Sequence, residues 1–86
     1  MPRISTFYGI VIAMYFNDHA PPHFHAAYGE YEAVFRIDNL GLHEGRLPGR
    51  ASALVLEWAF AHVSELEANW ARAQQGVALQ PIEPLQ

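Results

Sequence analysis

A chain of 86 residues with 51% hydrophobic, 13% aromatic and 16% charged residues has the apolar content to fold, but the length for a single small domain. Intrinsic disorder and a multidomain enzyme are thereby excluded. The absence of cysteine removes a disulfide scaffold, a thiolate nucleophile and sulfur-ligated zinc, while 5 Lys+Arg against 9 Asp+Glu, net −4, leave no global positive field for nucleic acid or an anionic membrane.

Taken in chain order, the first element is the apolar run Phe7 to Phe16. It is about half the length a membrane-spanning helix needs, and its Val, Ile, Tyr and Phe content favours a buried β-strand. No secretory signal precedes it, so a cytoplasmic protein is expected. Asn17-Asp18-His19-Ala20-Pro21-Pro22 follows as a loop, because its two prolines fix φ and remove backbone donors.

His23 to Tyr28 and Tyr31 to Ile37 both alternate apolar and polar residues, the pattern of half-buried strands. Gly29-Glu30 between them suits a two-residue type II′ turn with glycine at its first central position. That turn sets a register in which Tyr28 faces Tyr31, Ala27 Glu32, Ala26 Ala33, His25 Val34, Phe24 Phe35 and His23 Arg36. A second turn at Asp38-Asn39-Leu40-Gly41 leads to a short edge strand over Leu42 to Leu47.

Pro48 opens a helix in which Ala51, Leu54, Val55, Trp58 and His62 recur at helical spacing. Leu56 and Phe60 on its other side predict burial on more than one face. Ser64 and Glu67 form a candidate capping box, so the helix is expected to break near Val63 and a second one to begin, with Leu66, Trp70 and Ala73 facing inward and Gly76 as its stop. Residues 77–86 form an extended tail whose Leu79, Ile82 and Leu85 dock on the body or on a partner. The fold class is α+β in one domain, 1–86: strands over 1–47 as a three- to four-stranded, mostly antiparallel sheet, two helices over 48–76 packed on one face, and the tail.

Three of the five histidines fall within the segment from Asn17 to His25. On a strand, His23 and His25 leave the same face roughly 7 Å apart, with Phe24 between them pointing into the core. Three readings of this cluster compete. His19, His23 and His25 pin the proline loop through hydrogen bonds to backbone carbonyls; or, with Arg36 facing His23, they form an anion site or a general acid–base pair acting on a phosphodiester; or the imidazoles and Asp18 ligate Zn²⁺, Ni²⁺ or Fe²⁺. A permanent cation at Arg36 argues against the metal, so catalytic roles go to His19, His23, His25 and Arg36, anion contacts to Arg36, Arg46 and Arg50, and no metal or other cofactor is assigned. His43 is expected to be a surface residue, His62 a helix-end residue, and Glu30, Glu32 and Glu44 to solubilise the strands. Trp58 and Trp70 read as core anchors. The apolar surplus of the first run and the first helix calls for a further cover, a homodimer or partner protein, with the tail as the intramolecular alternative.

The opening Pro-x-Ile-Ser-x-Phe-Tyr-Gly-Ile, the block Met-Tyr-Phe-Asn-Asp-His-x-Pro-Pro-His-Phe-His-Ala from Met14 to Ala26, Tyr-Glu-Ala-Val-Phe at Tyr31 to Phe35, Leu-Glu-Trp-Ala and the later Glu-x-Asn-Trp resemble a bacterial family, domain of unknown function 4160. Its motif covers Asn17, Asp18, His19, Pro21, Pro22, His23, Phe24 and His25. The resemblance implies a small cytoplasmic protein encoded beside another small protein, in pairs suspected of being toxin–antitoxin modules. It does not carry over a basic RNA-binding face, because this chain has no lysine and has Ser52 and Ala53 where charges are common in the family. The function expected from the sequence is an interaction module of such a pair, binding a homodimeric or separately encoded partner. Its rivals are a metal-independent ribonuclease or phosphodiester-binding protein and a histidine-ligated metal protein.

Overall fold

The computed structural model describes residues 2–86. Five strands, β1 (Arg3–Phe7), β2 (Ile10–Ala13), β3 (His23–Tyr28), β4 (Tyr31–Arg36) and β5 (Leu42–Arg46), are followed by the helices α1 (Gly49–Ala61) and α2 (Val63–Gln74). The strands form one antiparallel meander in the order β1-β2-β3-β4-β5. The fold is α+β with two helices after the strands, as the sequence predicts, but the sheet has five strands where three or four were expected.

The extra strand, β1, lies just before the first apolar run and shares only Phe7 with it. Phe7 to Phe16 is not one strand, because the chain reverses at Tyr8-Gly9, both at positive φ (50° and 79°), and pairs Phe7 with Ile10 and Thr6 with Val11. Two consecutive left-handed residues make the tight hairpin turn whose twist matches that of the flanking strands. The β3–β4 hairpin has the predicted register at all six pairs, from His23↔Arg36 to Tyr28↔Tyr31, and Gly29 sits at φ 58° as the turn requires.

One face of the sheet carries Phe7, Ile10, Ile12, Phe24, Ala26, Ala33 and Phe35 into a common core with Val55, Trp58, Leu66 and Ala73 of the helices. Trp58 is fully buried, its ring 5.4 Å from that of Phe7 and 6.0 Å from that of Phe24. The predicted burial of α1 on more than one side holds only in part: Phe60 is 79% exposed. The expected capping box is not formed, because the chain turns from α1 into α2 at His62, which leaves Ser64 already inside the second helix. α2 ends as predicted at Gly76 (φ 70°), where the Gly76 and Val77 amides donate to the Ala73 and Arg72 carbonyls.

The tail docks on its own body. The Ile82 amide donates to the Ile4 carbonyl at 2.7 Å, and the indole N–H of Trp58 donates to the Glu83 carbonyl at 2.8 Å. Asn69, fully buried, grips Gln80 from both sides: its Nδ2 donates to the Gln80 carbonyl and its Oδ1 accepts from the Gln80 amide, each at 2.9 Å. Much of the apolar surplus is thus covered from within the chain.

Two substitutions test this account by urea denaturation. Asn69→Ala leaves the Gln80 amide and carbonyl without their partners and should cost about 3 kcal/mol; a loss below about 1 kcal/mol would mean that the contacts at Ile82 and Glu83 suffice to hold the tail. Gly45 lies at φ 72° on β5, and a Cβ there would collide with the Glu32 carbonyl oxygen. Gly45→Ala should therefore cost about 2 kcal/mol or more, whereas a stable variant would show that β5 can leave the sheet at little cost.

Candidate metal centre

The proline loop is held at one end of the sheet by α2. The Asn17 amide donates to the Ala73 carbonyl at 3.2 Å, and the Gln74 side chain donates to the Asp18 carbonyl at 3.1 Å. These contacts fold the loop back so that the Asp18 carboxylate returns to the start of β3, where His23 and His25 leave the sheet on the face opposite Phe24. His23 packs against Trp70 of α2, the ring centroids 5.1 Å apart, and His25 meets the ring of Tyr15 edge-on at 4.5 Å. The cluster is therefore not remote from the helices, as a purely two-dimensional view of the sheet implies; it is wedged between the sheet end and α2.

Each imidazole has a separate acceptor at Nδ1. His23 Nδ1 lies 2.7 Å from the Pro21 carbonyl oxygen, and His25 Nδ1 lies 3.1 Å from Glu32 Oε2. A carbonyl and an ionised carboxylate only accept, so the proton of each neutral ring is on Nδ1 and each Nε2 presents a lone pair. Both lone pairs then point at one oxygen: Asp18 Oδ2 is 2.8 Å from His23 Nε2 and 3.6 Å from His25 Nε2. His25 Nε2 is buried and makes no hydrogen bond among the described residues. Three electron-rich atoms facing one another require a positive charge among them, either protons on the imidazoles or a metal ion.

The donor atoms of Asp18, His23 and His25 all lie within 4.8 Å of one another. Ligands at 2.0–2.1 Å from a tetrahedral ion are about 3.3 Å apart, and the separations of 2.8 and 3.6 Å at Asp18 Oδ2 bracket that spacing. Burial of Asp18 opposes its ionisation, but the His19 amide on Oδ1 and the two imidazoles outweigh it and hold the carboxyl below its ordinary value. It is a carboxylate ready to ligate. The Pro21 carbonyl and Glu32 occupy the places that outer partners take around metal-bound histidines, fixing ring orientation and tautomer.

A cavity of about 430 Å³ opens beside the three donors, lined also by His19, Glu32, Val34, His43, Glu44 and Gly45. His43 enters it through a bulge: Val34 pairs with Glu44 and Phe35 with Leu42, so His43 has no partner on β4 and its ring stands 6.4 Å from that of His23.

Of the residues singled out in the sequence, His19, His23 and His25 come together at this cavity, and Arg36, Arg46 and Arg50 do not. Arg36 faces His23 in the register, but its guanidinium turns to Asp38, with Nε and Nη2 bonded to the two carboxylate oxygens at 3.0 and 2.6 Å. The nearby carboxylate two residues along the chain captures it, and the charge that argued against a metal is absent from the cavity. Arg46 lies over the ring of Tyr31, and Arg50 lines a separate groove with Tyr8 and Tyr28. Glu32 and His43 were missed as site residues. Glu32 was within reach, because it sits on the face of His25, diagonally across the predicted hairpin; His43 was not, because nothing local announces the bulge.

Comparison with known proteins adds a family and nothing further. No curated protein and no solved structure matches the chain. The model of the family described as domain of unknown function (DUF4160) matches residues 9–71, a span that runs from the β1–β2 turn into α2 and contains Asp18, His23, His25, Glu32 and His43. With most of its length and the whole histidine–carboxylate cluster inside that match, the chain belongs to the DUF4160 family.

Proposed function

We propose that this chain is a metal-binding domain that holds one divalent transition-metal ion on Asp18, His23 Nε2 and His25 Nε2. The observation that carries this reading is the convergence of two imidazole lone pairs on one carboxylate oxygen, with each ring's Nδ1 already committed elsewhere. A purely structural role for the histidines explains the bond from His23 to Pro21, but it leaves the buried His25 Nε2 3.6 Å from Asp18 Oδ2, beyond hydrogen-bond range. The metal-independent phosphodiester reading loses support, since no arginine lines the cavity among the described residues. Two imidazoles and one carboxylate suit Zn²⁺, Fe²⁺ or Ni²⁺ rather than the all-oxygen preference of Mg²⁺ and Ca²⁺.

The interaction-module reading keeps one specific support. Phe60 and Tyr8, 79% and 60% exposed, remain uncovered after the tail has docked, and such residues suit contact with a partner protein or a second copy. Membership of a toxin–antitoxin-like pair rests on the family resemblance alone. The two readings are compatible, because the exposed aromatics lie outside the residues that line the histidine cavity.

Protein stripped with a chelator and titrated with Zn²⁺ in a calorimeter should bind one equivalent, with Asp18→Ala and His25→Ala weakening the affinity by 100-fold or more. Glu32→Gln should cost about 10-fold to 100-fold. Binding of less than 0.2 equivalents, or equal affinity in all variants, would overturn the assignment. For the interaction reading, light scattering of the purified chain should give a dimer or a complex with a co-purified protein that Phe60→Ser disrupts; a monomer that co-purifies with nothing contradicts it.

A further inference from the structure

We propose that the metal centre is hydrolytic, that its substrates are small neutral esters, and that His43 is the general base that activates a metal-bound water. This inference rests on the metal-binding reading and goes beyond it. Three observations support it together.

The first is coordination. Asp18, His23 and His25 supply three donors, the number found in catalytic zinc sites, where the fourth position takes water. Structural zinc sites take four protein ligands. Here His43 is not one of the mutually close donors, yet it shares the cavity. The second is the bulge on β5. It removes His43 from the ladder and places it on the cavity wall, where the imidazole makes no hydrogen bond among the described residues, so a ring nitrogen is available to take a proton from water. The third is charge. A divalent ion ligated by Asp18 retains one net positive charge, and Glu32 and Glu44 on the cavity wall outweigh it. A phosphodiester anion is repelled there, while a neutral carbonyl group is not. A volume of about 430 Å³ suits a small molecule.

The chemistry balances without a further reactant. The metal-bound water gives a proton to His43, and the resulting hydroxide adds to the ester carbonyl carbon, whose oxygen takes the negative charge beside the ion. Collapse of that adduct breaks the carbon–oxygen bond to the alcohol, which leaves with the proton returned by His43. The products are one carboxylic acid and one alcohol, and the metal keeps its oxidation state.

The test uses the full chain loaded with Zn²⁺, its metal content measured in parallel, and two probes: 4-nitrophenyl acetate and bis(4-nitrophenyl) phosphate. Relative to each probe's uncatalysed hydrolysis, the ester should be accelerated at least 10-fold more than the phosphodiester. His43→Ala and His43→Gln should each lower kcat about 100-fold, with KM and one-to-one zinc content unchanged, a split that a merely structural role would not produce. Ester hydrolysis that persists after chelation, a larger acceleration of the phosphodiester, or full activity in the His43 variants would each overturn the proposal. Failure of the wild-type chain to take up zinc would instead remove the metal-binding reading beneath it, whereas a one-to-one zinc protein without ester turnover would overturn the hydrolytic inference alone.

Discussion

The site depends on where the two Nδ1 protons go. Imidazole can present either ring nitrogen to a neighbour, and which one it presents is settled by the acceptor held against the other. In this chain the Pro21 carbonyl and the Glu32 carboxylate settle it for His23 and His25, and both Nε2 atoms are left facing Asp18. Without those two acceptors the rings could rotate or exchange tautomer, and the cluster would be three polar side chains in proximity. With them it is a preorganised set of donors that gains stability from a cation.

The rest of the fold serves that arrangement. α2 matters less as a core helix than as the clamp on the proline loop, since the Ala73 carbonyl and the Gln74 side chain fix the backbone at Asn17 and Asp18. The tail in turn fixes α2: Asn69 binds Gln80 one turn before Ala73, and Arg72 donates to Asn69 Oδ1 at 2.9 Å. The far wall of the cavity comes from β5, an exposed edge strand whose close approach to β4 at Gly45 permits no side chain. Elements distant in sequence thus meet at one end of the sheet, while the aromatic core of Phe24, Phe35 and Trp58 holds the other face rigid.

Much of this was legible in the sequence where pattern and turn chemistry agreed. The β3–β4 register followed from period-two alternation and a glycine where the turn needs positive φ, and it placed His23 and His25 side by side. The same logic failed at Phe7 to Phe16, where apolar residues on both faces concealed a reversal at Tyr8-Gly9; the glycine within an apolar run was the signal. Register specifies which backbones are opposite but not where a long side chain ends, which is why Arg36 was assigned to the cavity although Asp38, two residues on, holds its guanidinium. His43 reaches the cavity through a bulge set by how β5 is laid against β4, a tertiary property without a local signature.

The central claim is that a metal ion, rather than protons alone, satisfies the three converging donors. X-ray absorption spectroscopy at the zinc edge of the reconstituted chain tests it most directly. The account predicts one ion at full occupancy with two imidazole nitrogens and light oxygen donors at about 2.0–2.1 Å, and loss of one imidazole contribution in His25→Ala. A spectrum of hydrated zinc without imidazole scattering, or one unchanged by that substitution, would contradict it.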